Sequence, residues 1–409
     1  SCTRLSLNHN AIGNTGMSSL AEALRGIATL QGLDLQHNRI GAAGATALAS
    51  VLRTTTALTE LDLGDNNIGA AGASSMALVL KENPTLQSLT LGTDDEGVTA
   101  ISGALKRNST LLSLSFRCQH VSVGPAGASA LANALKANST LHTLDLDGNS
   151  IGAAGATAVA SVLQLHALLC LSLINNNIGV EGARAVAGAL KVNSTLRQLS
   201  LCSNGIGDEG LAAVGDALKT NSGLHSLNVE RNSIGDVGAS AMADALKTNS
   251  TLRRLRLDFN RIGSAGASAV ANALKTNLTL FWIHGVRFDA EDVLRSAGLP
   301  LRLRGTGTAH VIEQLDRLNS PLLRASARGN LGEVRKLLDS GTAIDGATRL
   351  GTTALSLASE AGHLHVVAEL LRRGADLALQ TRRDLDLMYL DADLPNSWGV
   401  HCSRMRRCK

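Results

Sequence analysis

The pattern L-x-L-x-x-N-x-I-G-x-x-G returns along this chain with a period of 28 residues. It reads LSLNHNAIGNTG from Leu5, LDLQHNRIGAAG from Leu33 and LDLGDNNIGAAG from Leu61, and it recurs from Leu144, Leu171, Leu199, Leu227 and Leu255. Two degenerate copies, from Leu89 and Leu114, fill the interval, so about ten units precede a closing strand near residues 280–285. A chain written this way cannot collect its apolar residues around one centre. Each unit buries a thin layer against the next, and the stack grows in one dimension. The scarcity of rings agrees: of four Phe, two Trp and one Tyr in 409 residues, only Phe116 falls within the first 258. A single large core would ordinarily bury many rings.

Each position in the unit has a physical reason. The L-x-L pair predicts a short strand with alternate residues facing inward, stacked in a parallel sheet at about 4.8 Å spacing. Asn10, Asn38, Asn66, Asn149, Asn176, Asn204, Asn232 and Asn260 end those strands, where a side-chain amide can satisfy backbone groups of adjacent loops as a ladder. The Ile two residues on fills the core. Glycine pairs such as Gly41 and Gly44 predict a left-handed turn and a close backbone approach before an Ala-rich helix. Each helix runs through A-x-A-L-K and stops at Asn, as in Leu135-Lys136-Ala137-Asn138. Lys there complements the helix dipole, and Asn is expected to take the left-handed cap. Phe281, Trp282 and Phe288 are expected to seal the last unit.

These residues resemble the leucine-rich repeat signature, and the 28-residue unit with I-G-x-x-G and A-L-K-x-N-x-T-L resembles its ribonuclease-inhibitor-like subclass. The resemblance covers residues 1–286 and implies a horseshoe with strands inside and helices outside. Proteins of that subclass include ribonuclease inhibitor, the sensing arms of nucleotide-binding leucine-rich-repeat immune receptors and the GTPase-activating protein for Ran. It implies binding of one macromolecule on the concave face or its rim. A second repeat follows, SPLLRASARG at 320–329 and TALSLASEAG at 353–362, 33 residues apart. These segments look like two ankyrin repeats. The usual His of the start motif, which fixes the turn by hydrogen bonding, is here Leu323 in one copy and Ser356 in the other, while His363 and His365 fall where ankyrin repeats carry a structural His. The expected fold is an α/β leucine-rich-repeat solenoid, a horseshoe with a parallel inner sheet and outer helices, followed by a short all-α ankyrin-repeat module. Its expected divisions are 1–286 for the leucine-rich repeats, 287–319 for connecting or capping helices, 320–383 for two ankyrin repeats and 384–409 for an irregular or disordered tail.

With 38 basic and 34 acidic residues the net charge is +4, nearly balanced on either side of residue 286, without the basic excess of a nucleic-acid binder. No apolar run approaches the roughly 18 residues of a membrane span, and no secretory signal opens the chain. Six scattered Cys form no disulfide framework, so a cytoplasmic, reducing setting is expected. With no initiating Met and only a few residues before the first strand, the chain reads as a fragment or an incomplete gene model. There is no Gly-Lys dipeptide for a P-loop, no H-E-x-x-H and no G-x-S-x-G, so no cofactor and no enzymatic activity are expected. His9, His37 and Asp65 share one loop position; lacking a second pair of ligands, they read as a polar ladder rather than a metal site. The N-x-S/T sequons at Asn108, Asn138, Asn193, Asn249 and Asn277 all coincide with the repeat's K-x-N-x-T-L and read as structural. Cys2 replaces a core Leu, and Cys202 is expected to face the concave side as the most modifiable thiol.

Residues flanking each inward Leu should line the concave face. Candidate partner contacts there are Asp34, Glu60, Asp62, Arg117, Asp145, Asp147, Glu230, Arg254, Arg256 and Asp258. Acidic clusters at Asp34/Glu60/Asp62 and Asp145/Asp147 precede a basic end at Arg254 and Arg256, so a protein partner should present a basic patch to the first half. Aromatic anchors are absent from that face apart from Phe259 near its rim, so moderate affinity is expected. The expected function is non-catalytic protein–protein recognition, as a scaffold or as the sensing or docking region of a larger intracellular signalling protein. The alternative is a GTPase activator of the Ran-specific type, a family with an acidic C-terminal segment, whereas this chain ends in Arg404, Arg406, Arg407 and Lys409. On oligomeric state the sequence is silent.

Overall fold

The computed structural model of the chain describes residues 3–55, 57–117, 122–165, 168–277, 279–280, 282–286, 320–348 and 352–376. The chain divides into two compact units, Ser1–Leu301 and Arg302–Lys409. The expected connecting helices at 287–319 and tail at 384–409 lie outside the described residues, as do Cys2, Phe281, Phe288 and the side chain of Trp282.

In the first unit, strands β1 (Arg4–Ser6), β2 (Gly32–Asp34), β3 (Glu60–Leu63), β4 (Ser88–Leu91), β5 (Ser113–Ser115), β6 (Thr143–Asp145), β7 (Cys170–Ser172), β8 (Gln198–Ser200), β9 (Ser226–Asn228), β10 (Arg254–Arg256) and β11 (Trp282–His284) form one sheet in sequence order. Every described pairing is parallel, and the inward Leu of each repeat meets that of the next, as in Leu61, Leu89, Leu114 and Leu144, so the degenerate copies keep the register. The helices alternate with the strands: α1 (Gly13–Leu24), α2 (Ala42–Leu52), α3 (Gly69–Glu82), α4 (Asp95–Leu105), α5 (Pro125–Leu135), α6 (Gly152–Leu163), α7 (Gly179–Leu190), α8 (Gly207–Leu218), α9 (Asp236–Leu246) and α10 (Ser264–Leu274). This is the open α/β solenoid expected, with its apolar layer of Leu, Ile, Val and Ala between sheet and helices.

The strand-ending asparagines form the expected ladder. Asn204 is typical. Its Oδ1 accepts from the N–H groups of Asn176 (2.9 Å) and Ile178 (3.3 Å), and its Nδ2 donates to the carbonyls of Leu173 (2.6 Å) and Cys202 (3.1 Å). Strands this short leave loop backbone that the sheet cannot pair, and the buried amides satisfy it from one repeat to the next. They also hold strained backbone: His37, Arg39, Asn175, Asn177, Arg231 and Ser233, each beside a ladder Asn, have φ between 53° and 57°.

A second amide ladder runs along the helix ends, and it corrects the sequence reading. Asn83 ends α3 with φ −79° and ψ 123°, an extended rather than left-handed cap. These asparagines turn inward instead. Asn249 donates to the carbonyls of Leu218 and Asn221 and accepts from the N–H groups of Thr251 and Leu252, so it satisfies the last turn of the preceding helix, whose carbonyls have no intrahelical partner. Asn108, Asn138, Asn193 and Asn277 are buried and bonded in the same way, which leaves the sequon amides engaged inside the fold.

The two glycines of a pair have different tasks. At the second, space decides: a Cβ on Gly182 would lie 2.7 Å from Ile178 Cβ and 3.1 Å from Ala156 Cβ of the preceding repeat. At the first, the expected left-handed turn is found at Gly69, Gly152, Gly179 and Gly207, with φ between 58° and 63°. Gly41, Gly124, Gly235 and Gly263 are extended helix N-caps instead. The difference lies one repeat upstream, where Asn14, Asp95, Asp208 or Asp236 places an Oδ1 that accepts from the extended glycine's N–H at 2.6–2.8 Å. The left-handed glycines follow repeats with Ala42, Pro125, Ala153 or Val180 at that position, which offer no side-chain acceptor.

The second unit contains α11 (Pro321–Ala327), α12 (Leu331–Asp339), α13 (Ala354–Glu360) and α14 (Leu364–Arg372), packed around Leu322, Val334, Leu357, Val366 and Leu370. Where the start-motif His is replaced by Ser356, a reciprocal cap takes over: Ser356 N–H donates to Thr353 Oγ1 (3.2 Å) and Thr353 N–H to Ser356 Oγ (2.9 Å). His363 and His365 place Nε2 atoms 3.1 Å and 3.0 Å from the carbonyls of Ala327 and Gly329, tying the second helix pair to the first.

Buried Glu369 also joins the two pairs, contacting Arg335 (3.2 Å), Arg372 (2.7 Å) and Arg373 (2.8 Å). Hydrogen bonds from Arg372 and then Arg373 hold its carboxyl down at about 2, from an ordinary 4.5. A folded-state value below the unfolded one means that Glu369 stabilises this unit fully above pH 4.5 and loses that contribution as the pH falls towards about 2. Glu369→Gln is therefore expected to speed amide exchange in α12 and α14 at pH 7, after correction for intrinsic rates, with the difference from wild type closing towards pH 2. A difference independent of pH would contradict this account.

Candidate functional site

Strand register fixes which side chains meet on the concave face. Asp34, Asp62, Thr90, Ser115, Asp145, Ser172, Ser200, Asn228 and Arg256 fall in one row across β2–β10. At the first end, Asp34 accepts from Ser6 Oγ and Asn8 Nδ2, both at 2.8 Å, Glu60 pairs with Arg4 at 2.6 Å, and Asp62 accepts from the Gly64 N–H at 2.7 Å. Burial pushes the Asp62 carboxyl up, the Gly64 N–H and Arg117 oppose it, and the charges of Asp34 and Asp65 add to the rise.

Arg117 thus belongs to the first acidic group. Its carbonyl accepts from the Asp65 N–H at 3.4 Å. Asp65 itself is buried and receives Gln36 Nε2 at 3.2 Å and His37 Nε2 at 3.0 Å, while the His37 ring stacks on His9 at 4.3 Å. Among the described residues no group of three or more His, Cys, Asp or Glu could hold a metal ion. Sequence reasoning left Asp65 off this face. The signal was the unequal length of the degenerate copies, which removes an Asn loop and lets Asp65 reach Arg117.

In the centre, Asp145 accepts from Ser115 Oγ (3.0 Å) and the Asp147 N–H (2.8 Å). Asp147 is buried and accepts from Ser172 Oγ and the Ile174 N–H. Burial first, then the adjacent charge of Asp145, raises the Asp147 pKa well above the carboxylate range and favours its protonated form. At the far end Glu230 contacts Arg256 (3.0 Å) and Arg231 (3.6 Å), Arg256 contacts Asp258 (3.7 Å), and Asp258 takes His284 Nδ1 at 2.5 Å. The Arg231 guanidinium stacks 4.6 Å over the exposed ring of Phe259. Arg254 stands in the neighbouring row, opposite Ser226 and Trp282.

The expectation that flanking side chains face solvent is met at Arg4 and Ser6, is met only in part from β2 to β6, where Asp34, Glu60, Asp62, Ser115, Arg117 and Asp145 are half-buried and Asp147 is buried, and fails from β7 to β9. Ser172, Ile174, Ser200, Cys202, Asn228 and Glu230 are buried. Short side chains about 4.8 Å apart shield one another, and Glu230 folds sideways onto Arg256 rather than projecting. Cys202 is only 1% exposed, so it is not the open thiol expected. Cys170 is buried as well, and burial pushes its thiol up to about 11.

Residues 3–21, 27–49, 56–77 and 137–160 match the family described as Leucine Rich repeat, residues 167–292 the TMOD/LMOD Leucine-rich domain, and residues 350–382 the Ankyrin repeat. The chain carries leucine-rich repeats and an ankyrin repeat. Osteoclast-stimulating factor 1 of Rattus norvegicus is 38% identical over 58 residues, covering 14% of this chain and 27% of the relative. Its Danio rerio counterpart is 39% identical over 62 residues, covering 15% and 29%. The chain thus spans less than a third of these curated relatives. Among solved structures, Leiomodin-1 Actin-Binding Site 2 is 20% identical and covers 43% of this chain and 94% of its own, with a TM-score of 0.32. The Caenorhabditis elegans tropomodulin C-terminal domain is 16% identical and covers 39% and 89%, with a TM-score of 0.30. No described helix is long and apolar enough to cross a membrane.

Proposed function

We propose that this chain is a non-catalytic protein-interaction scaffold, a leucine-rich-repeat protein of the ribonuclease-inhibitor-like subclass acting in the cytoplasm as part of a larger signalling protein. Its partner docks a basic patch on the first half of the concave face. One observation carries this reading: Asp34, Glu60 and Asp62 lie on adjacent strands with carboxylates already oriented by Ser6, Asn8, Arg4 and the Gly64 N–H. Preorganised charges lose little freedom when a partner arrives. Asp145 extends the acidic side towards the centre. Arg254, Arg256 and Asp258 mark the opposite end and orient the partner, while Asp147 and Glu230 act by positioning their neighbours. The ankyrin repeats offer a second protein contact in the same scaffold. The matched repeat families give no support to the Ran-type GTPase activator.

The test titrates the purified chain with a fluorescent lysine-rich peptide. Charge reversal by Asp34→Lys with Glu60→Lys is expected to weaken binding at least about tenfold, roughly 1.4 kcal/mol, and added salt should weaken wild-type binding in parallel. Unchanged affinity in a variant with an unchanged melting temperature removes the proposal.

A further inference from the structure

A surface outside the concave face carries bare apolar side chains and cations together. Each helix of the first unit ends, turns and enters the next strand, at a buried Asn after α3, α4, α5, α7, α8, α9 and α10, and those turns form one edge of the solenoid. On this edge Leu165 and Val192 stand at equivalent positions just past α6 and α7, 74% and 64% exposed. Their N–H groups make the same bond, to the carbonyls of Val162 (3.0 Å) and Ala189 (3.2 Å). The residues just before the strands continue the edge. Arg197 N–H donates to Leu169 O (2.8 Å), His225 N–H to Arg197 O (2.9 Å) and Arg253 N–H to His225 O (2.8 Å), which sets Leu169, Arg197, His225 and Arg253 in line across β7–β10.

The cations in this line are directed but not neutralised. The Arg197 guanidinium donates to the carbonyls of Ser194 (2.9 Å) and Gly223 (2.8 Å), neutral groups that fix its direction and leave its charge. His225 Nδ1 lies 2.7 Å from the Gly223 carbonyl, and burial first, then the charges of Arg253 and Arg197, depresses its pKa against the pull of that carbonyl, so the imidazole favours its neutral form and the positive charge here is that of the two guanidinium groups. Arg253 is exposed, and no described carboxylate pairs with it or with Arg197. The acids of the adjoining helices are occupied: Asp216 by Lys191 and Asp244 by Lys247, both at 2.7 Å.

We propose that this edge docks an extended acidic segment of a second protein partner, with apolar side chains on Leu165, Leu169 and Val192 and carboxylates on Arg197 and Arg253. Covering exposed aliphatic groups supplies the attraction, and guanidinium groups of fixed direction select carboxylates over other polar groups. Arg197 and His225 are half-buried, so a chain that reaches in contacts them better than a flat anionic membrane does. The surface is distinct from the acidic half of the concave face and does not depend on that reading.

The test uses the full chain, a labelled peptide of alternating Leu and Glu, its Leu–Lys counterpart, and phosphatidylserine vesicles. The expected result is binding of the Leu–Glu peptide that weakens at least tenfold in both Arg253→Glu and Val192→Ser. Both sites are exposed, so melting temperatures should stay at the wild-type value. Asp34→Lys should leave this binding unchanged, which separates it from the concave site. Absent binding, equal binding of the Leu–Lys peptide to a chain carrying Asp34→Lys with Glu60→Lys, indifference to Arg253→Glu, or binding to vesicles alone each overturns the proposal.

Discussion

Asn204→Ala is expected to lower the stability of the leucine-rich unit by about 3–5 kcal/mol, because each buried backbone group left without a partner costs about 1–3 kcal/mol and the losses are not fully additive. The side chain serves the N–H groups of Asn176 and Ile178 and the carbonyls of Leu173 and Cys202. Alanine supplies none of these. It also releases the left-handed backbone of Ser203, φ 55°, which nothing local favours in a non-glycine residue. Stability in a solenoid resides in junctions between neighbours, so the urea transition followed by circular dichroism should split, with the repeats before and after β8 unfolding separately. Asn10 holds the same place in the first repeat but is exposed, and its Nδ2 reaches only the Leu7 and Asn8 carbonyls. Asn10→Ala should cost less than about 1 kcal/mol. Equal losses at the two positions would remove burial as the cause.

The second large effect separates the two glycines of one pair. Gly182→Val must place branched carbons where even a Cβ comes within 2.7 Å of Ile178 Cβ and 3.1 Å of Ala156 Cβ. Overpacking between α6 and α7 should cost about 3 kcal/mol or more. Gly179 has open space around its would-be Cβ but a φ of +59°. Gly179→Ala should therefore cost only about 1 kcal/mol, the penalty of a left-handed alanine. Urea midpoints of the two variants decide the matter, and a larger loss at Gly179 would reverse the assignment.

The 28-residue register, the inward Leu, the ladder Asn and the helix positions were legible in the sequence because each recurs in most units and is spelled by residues within one unit. What escaped reading depends on neighbours. The inward turn of Asn249 answers an unsatisfied carbonyl of the helix before it, which residues near Asn249 do not reveal. The chemistry of the concave face followed from L-x-L alternation, so Asp34, Glu60 and Asp62 were placed together by spacing. Its accessibility did not follow: the closure from β7 to β9 needs Ser172, Ser200 and Cys202 to be short on successive strands and Glu230 to find Arg256 beside it. Ser356 in place of the ankyrin His looked like a loss, and only the reciprocal bond with Thr353 shows how the turn is kept.

The cap that Asp208 provides lies on the helix of the repeat after its own, so no unit here is a self-sufficient cassette. Excising residues 207–234 would bring Gly235 directly behind the unit of Val180, where no acceptor awaits it, whereas excising residues 235–262 would bring Gly263 behind Asp208 and leave a cap in place. Glycine at that junction tolerates either arrangement, left-handed or extended. A larger residue would be strained at the left-handed junctions and would crowd the capping side chain at the extended ones, where a Cβ would lie 2.9–3.3 Å from Asn14, Asp95, Asp208 or Asp236. Its presence at both kinds of junction lets repeats be gained, lost or exchanged without each event requiring a matched change next door.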